Sequence, residues 1–416
     1  MKKLGFYFLL LNLVFAQKIL IPMDLVQKDH LKAYGIAYWV LEREINVEWL
    51  LNYRGGAFLL DSYNFIEQEC RIRGVSFEPV DPHIMVDIYG AIELNNMDVV
   101  LLEKAPKIAI YTPPGKQPWD DAVTLALAYA EVPYETLWDE AVLTGKLSEY
   151  DWLHLHHEDF TGQYGKFYRN YRNAQWYMDQ QSQFEALATA LGFNSVHEEK
   201  KAVALAIKDY VRQGGFMLAM CSATDSYDIA LAMGNADGVV SVFDGTPVDP
   251  QIQAKLDFKQ TFAFTDFNLI VDPMIYEYSD IDFPSSNNPV THGAERDYFT
   301  LFEFSAKYDP VPTMLTQNHV AAVKGFMGQT TGYLRSKVKK HIIIMGEDPA
   351  TDQVKYLHGN FGKGTFTFLG GHDPEDYQHF VGDPPTDLSL HRNSPGYRLI
   401  LNNILFPAAR KKERKT

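Results

Sequence analysis

Apolar residues along the chain alternate between short β-rich runs and stretches spaced at a period of about 3.6 residues, which predicts strands and amphipathic helices in turn. In the first segment "KILIPMDL" reads as a strand, "DHLKAYGIAYWVLERE" as a helix and "NVEWLLNYRGG" as a strand ending in a glycine turn. Asp61 is placed as the N-cap of "SYNFIEQECRIRG", a helix holding Cys70, and "IMVDIYGAIE" as a further helix before the charged bridge "LLEKAPK". A second unit opens at the strand "KIAIYTPP" and runs through the helix "DDAVTLALAYAEV", the short strand "YETLWD" and the strand within "LSEYDWLHLHHEDF". The helix "HEEKKAVALAIKDYVRQGG" stops at a glycine pair, and the strand "FMLAMC" follows.

Strands that alternate with helices predict parallel pairing through crossover helices. The expected fold is therefore α/β, with a doubly wound, flavodoxin-like parallel sheet. Residues 17–106 form an N-terminal α/β extension, and residues 107–407 form the main domain. Turn-rich sequence at about 235–336 reads as an insertion in that domain. After it come the strand "KKHIIIMGE", the hairpin "KYLHGNF" to "TFTFLGG" around Gly362-Lys363-Gly364, and the closing helix "PGYRLILNNILF".

The first residues change the picture of where the protein works. Two lysines, an apolar run and Val14-Phe15-Ala16 predict a cleaved signal peptide over 1–16, and so a periplasmic or secreted protein. The run is shorter than the ~20 residues of a spanning helix, so no stable membrane insertion is expected after cleavage. Two cysteines, Cys70 and Cys221, make no disulfide framework. A formal charge of -15 argues against a nucleic-acid partner, and the tail at 408–416 is read as a solvated basic end. The expected partner is a small molecule, and no cofactor motif is found.

Two constellations carry candidate chemistry. Cys221 ends a strand and precedes a helical run, with Ala219 and Ala223 as the small flanking residues that a sharp nucleophile turn needs. A helix starting there would lower the thiol pKa and offer N–H groups to an oxyanion, with Ser222 in the same turn. The plain alternative is a core cysteine at the end of a buried strand. The second constellation is "HLHHEDF": His154 and His156 share a strand face, while His157, Glu158 and Asp159 enter the loop. These side chains suit a polar substrate pocket or, with His372 and Asp373, a nitrogen and oxygen metal site; a solvated strand end is the third reading. Asn318 and His319 have no partner legible in sequence.

The stretches "GGFMLAMCSA" and "GTFTFLGGHDPED" together resemble the nucleophile and histidine regions of the class I glutamine amidotransferase-like superfamily. That resemblance implies Cys221 as nucleophile, His372 as base and Glu375 or Asp373 as orienting acid, in a hydrolase acting on a carboxamide or similar carbonyl. The hairpin and closing helix are also similar to the trehalose-utilisation (ThuA-like) branch, which implies a non-catalytic carbohydrate or small-ligand binder instead. The N-terminal stretch "KILIPMDLVQKDHLKAYG" resembles exported bacterial proteins that carry the name asparagine synthetase B. The N-terminal cysteine and pyrophosphate loop that such a synthetase needs do not occur in this chain, so the name implies no activity here. A metal-dependent hydrolase built on residues 154–159 is the remaining alternative.

Overall fold

The computed structural model describes residues 17–115, 117–282, 297–309, 316–328, 330–376 and 380–409. The expected signal peptide and residues 410–416 of the expected tail lie outside them. Among the described residues no helix is long and apolar enough to cross a membrane.

Two sheets build the molecule. The smaller contains β1 (Lys18–Ile21), β2 (Val47–Leu51), β3 (Ala57–Asp61), β4 (Glu78–Val80) and β5 (Asp98–Leu102), in the order β4-β1-β3-β2-β5. Every pairing in it is antiparallel, which corrects the expected parallel alternation. The cause is local. "AFLLD" forms β3, a strand that the periodicity reading missed, and a tight turn at Gly55 and Gly56 folds it back on β2. Gly55 takes φ +76, and a Cβ there would lie 2.4 Å from the Met23 carbonyl oxygen. Asp61 consequently belongs to a strand, and the next helix, α2 (Asn64–Arg73), begins after Tyr63.

The larger sheet holds β6 (Ile108–Tyr111), β7 (Glu135–Leu137), β8 (Trp152–Leu155), β9 (Phe216–Met220), β10 (Tyr298–Leu301), β11 (Ala322–Lys324), β12 (Tyr333–Leu334), β13 (Ile343–Glu347), β14 (Gln353–Phe361) and β15 (Gly364–Leu369). Its order is β11-β10-β13-β14-β15-β9-β8-β6-β7, with β12 beside β14. The stretch from β7 to β15 is parallel. From β15 outward every pairing is antiparallel, because the hairpin turn at Gly362 reverses the chain and the insertion adds ribbons to that edge. The expected doubly wound, flavodoxin-like parallel sheet is therefore corrected to one mixed sheet of ten strands and one antiparallel sheet of five.

Helices α1 (His30–Leu41), α4 (Ala122–Ala130) and α12 (Pro395–Leu405) pack on one another between the two sheets. Gly35 permits the close crossing of α1 and α4, since a Cβ there would lie 1.9 Å from the Ala130 carbonyl oxygen. Helix α3 (Pro82–Leu94) covers the outer face of the small sheet through Ile88 and Ile92. On the far face of the large sheet lie α5 (Asp139–Leu143), α8 (Val196–Gln213) and α9 (Ser222–Met233). Helix α7 (Gln175–Ala190) and the single turns α6 (Tyr168–Tyr171), α10 (Ser241–Asp244) and α11 (Ile252–Lys255) complete the set. Strand periodicity divides the core: Ile108 and Ile110 face the middle layer, whereas Ala109 and Tyr111 face the other side.

Candidate metal centre and adjoining pocket

Strand β8 delivers His154 on its buried face, and the chain leaves the sheet at His156; both rings are buried. Opposite them stands Asp121, the N-cap of α4. Its Oδ1 accepts from the backbone N–H groups of Val123 (2.7 Å) and Thr124 (2.9 Å), which fixes the carboxylate plane. The other oxygen, Oδ2, lies 3.4 Å from His154 Nε2 and 3.4 Å from His156 Nδ1, and those two nitrogens are 3.2 Å apart. Three ligands on a tetrahedral ion at about 2.0–2.1 Å would sit about 3.3–3.4 Å from one another. The triangle has that size.

The proton positions follow from the remaining partners. His154 Nδ1 faces the Leu218 carbonyl at 3.1 Å; a carbonyl only accepts, so Nδ1 carries the proton and Nε2 presents a lone pair. His372 Nε2 faces Asp120 Oδ1 at 3.2 Å, and His372 Nδ1 lies 2.7 Å from His156 Nε2. With Asp120 ionised, His372 donates to it and accepts from His156 Nε2–H. His156 Nδ1 is thereby left as a lone pair as well. Two lone pairs and a carboxylate oxygen thus converge with no proton assigned between them. Burial works to raise the Asp121 carboxyl; only with His156 and His154 protonated does their opposing pull hold it well below the usual carboxylate range, and with the two lone pairs turned inward a cation would have to take over that pull. A second group, His156, His157 and His372, also brings one ligand atom each within 4.8 Å of the others. There, however, His156 and His372 already share a hydrogen bond.

The other sequence candidates serve different partners. Glu158 accepts from the His156 N–H at 3.0 Å, and burial pushes its carboxyl up to about 8. Asp159 binds the backbone N–H groups of Thr161, Gln163 and Gly165 and so shapes its own loop. His157 Nε2 lies 2.9 Å from the Asp120 carbonyl, and Ser222 Oγ donates to the His157 carbonyl. Of the two acids suggested for His372, Glu375 faces His391 at 3.1 Å, while Asp373 accepts from Tyr397 and from the Glu375 N–H. Asp120, outside the suggested set, takes the orienting position.

Cys221 does occupy a sharp turn. It has φ 51 and ψ -140, it is buried, and its N–H donates to the Gly371 carbonyl at 3.0 Å. Neither cysteine is in a disulfide. Asp120 and Asp121 were visible in sequence as the start of the "DDAVTL" helix. Their chemistry was not, because only the fold sets that helix start against the end of β8.

A partly open cleft adjoins the cluster. Trp119, Trp138, Phe167 and Phe184 wall it, and His157 and Glu158 enter from the metal side. The Trp119 and His157 rings are 5.5 Å apart, so cavity and cluster share a border.

No protein-family model and no curated protein matches the sequence. Among solved structures, a cytoplasmic protein of Salmonella typhimurium aligns over 73% of this chain and 100% of its own, at 10% identity and a TM-score of 0.35. Another cytoplasmic protein, from Salmonella typhimurium LT2, aligns over 73% and 100% at 11% identity and a TM-score of 0.32. The GH42 β-galactosidase Gan42B of G. stearothermophilus aligns over 66% of this chain but only 29% of its own, at 10% identity and a TM-score of 0.28. Likenesses of this strength assign neither fold nor activity to the present chain.

Proposed function

We propose that the protein is a metal-dependent hydrolase of a small molecule, with Asp121, His154 and His156 as the protein ligands of one divalent ion. The observation that carries this reading is the triangle of two imidazole nitrogens and one carboxylate oxygen with edges of 3.2, 3.4 and 3.4 Å. Two imidazoles and one carboxylate suit zinc, and three protein ligands leave a coordination position for water or substrate. A divalent ion held there supplies Lewis acidity, polarising a substrate oxygen and acidifying a water. The chain's own groups do the rest. His372 and Asp120 hold His156 in its ligand tautomer, and the aromatic cavity beside His157 receives the substrate and excludes solvent.

The test is elemental analysis of the purified full chain after exposure to zinc and removal of excess. About one equivalent is expected, falling to background in Asp121→Asn combined with His154→Ala. Absence of stoichiometric metal in the wild-type chain would sink the reading. A second reading, hydrolysis of a carboxamide by a Cys221 thiolate, draws support from the turn conformation of that residue, which ordinary side chains seldom adopt. Cys221→Ser separates the two: hydrolysis through the metal centre survives it, and hydrolysis through the thiol does not.

A further inference from the structure

A second group of buried polar atoms lies where the insertion meets the start of α9. Asp225, in the first turn of α9, is wholly buried. Its Oδ1 accepts from the Thr330 hydroxyl at 3.1 Å, while Oδ2 has no hydrogen-bond partner among the described residues. Asp282, from the insertion, is 6% exposed; the Thr330 side chain lies beside its carboxylate, but neither oxygen makes a hydrogen bond of ordinary geometry among the described residues. The Tyr278 hydroxyl, at 1% exposure, is unpartnered on the same terms, and the Tyr333 hydroxyl, at 0%, has only the Thr224 side chain beside it. These residues converge through the backbone: Asp282 and Tyr333 face each other in an antiparallel bridge. Thr330, whose hydroxyl holds Asp225, lies three positions before Tyr333. Electrostatically, Tyr278 and Tyr333 both feel Asp225 and Cys221, and Tyr333 feels Asp282 as well.

No lysine or arginine among the described residues forms an ion pair with Asp225 or Asp282. The nearby Lys166 ammonium is committed to the carbonyls of Ile270 and Asp272. Buried carboxylates are tolerated when they are paired or when they bind a metal. Asp225 and Asp282 lie near enough to interact electrostatically.

We infer that Asp225, Asp282, Tyr278 and Tyr333 form a site for a hard divalent cation of the calcium class, distinct from the Asp121, His154 and His156 centre. The donors are all oxygen, and two carboxylates balance a charge of two. The site joins the insertion to the turn after Cys221 and to β12, so an ion there fastens the cover of the Cys221 turn to the large sheet.

The experiment strips the full chain with a chelator, restores zinc to occupy the first centre, and titrates calcium by calorimetry and thermal melting. One saturable equivalent of calcium and a raised melting temperature are expected. Asp282→Asn should weaken calcium about tenfold or more while leaving zinc stoichiometry unchanged, because ligand charge sets affinity at such sites. If that variant does not fold, Tyr278→Phe replaces it and is expected to weaken calcium about threefold, since it removes one oxygen and no charge. No calcium-dependent heat or melting shift in the wild-type chain overturns the inference. So does unchanged calcium affinity in the folded Asp282→Asn chain, or in Tyr278→Phe where that variant stands in.

Discussion

Two pairs of neighbouring histidines in this molecule have opposite surroundings. His154 and His156 sit with Asp120 and Asp121, and one nitrogen of each ring faces the Asp121 carboxylate. His30 and His319 stack at 4.3 Å and 11° in the seam where α1 meets α12, beside the fully buried guanidinium of Arg398. Arg398 also donates to the Tyr34 hydroxyl at 2.9 Å, the Met23 carbonyl at 2.7 Å and the Gly55 carbonyl. Burial first, and the neighbouring Arg398 second, lower His30 to about 4 and His319 to about 3. The rings in the seam are therefore neutral spacers whose nitrogens are spent on Asn393, on backbone carbonyls and on Arg398. His30 is buried like His154 and His156, and His319 is half-buried. The sign of the nearest fixed charge separates a set of ligands from a packing element.

The largest effect that would break this comparison is on metal content. His156→Gln is expected to lower zinc occupancy at a fixed free concentration by at least about a hundredfold, because it removes a ligand that His372 and Asp120 have oriented. His319→Gln should leave occupancy unchanged. Next comes the seam itself. Arg398→Met strands the Gly55 carbonyl, leaves the Met23 carbonyl only its contact with His30, and should cost about 3 kcal/mol in denaturant unfolding, at about 1–3 kcal/mol per orphaned group plus the loss of packing. It should not change zinc stoichiometry.

A smaller, pH-dependent effect follows from the lowered values in the seam. In the unfolded chain these rings take up protons near 6.5, whereas in the folded chain they resist protonation down to about 4 for His30 and about 3 for His319. The unfolded state thus binds more protons in that window, and stability falls as pH drops from about 6.5 toward 4. Replacing both rings, His30→Gln with His319→Gln, should flatten the fall in melting temperature between pH 7 and pH 5 by about 3 °C. Equal slopes for the two proteins would remove the seam from the account. Last and smallest, Cys221→Ser should change stability by less than about 1 kcal/mol in denaturant melts and leave zinc binding intact.

The sequence carried the periodic parts of the fold well. Helices α1, α4, α8 and α12 and strands β6, β8 and β9 lie where hydrophobic spacing placed them. Strand direction in the small sheet was not legible, because "AFLLD" continues an apolar run past a glycine turn and nothing local marks the reversal. His154, His156 and His372 were legible as candidates, since three histidines near strand ends are chemically conspicuous. Asp121 was not, because a helix N-cap aspartate is ordinary in sequence and acquires its second role only through β8, which lies beside β6 in the sheet. Of the acids expected to orient His372, Asp373 accepts from Tyr397 and from its own turn, while Asp120 reaches His372 across the fold.

Asp121 divides its two oxygens between a helix end and the proposed centre. Occupancy of the centre and integrity of α4 therefore become one equilibrium. An ion present at a hundred times its dissociation constant adds about 2.7 kcal/mol to the folded state by mass action. That gain enters at the first turn of α4 and passes along the helix to the crossing at Gly35, where α1 connects with the small sheet. The layer farthest from the chemistry would then report ion supply, as slower exchange of its backbone amides when the centre fills.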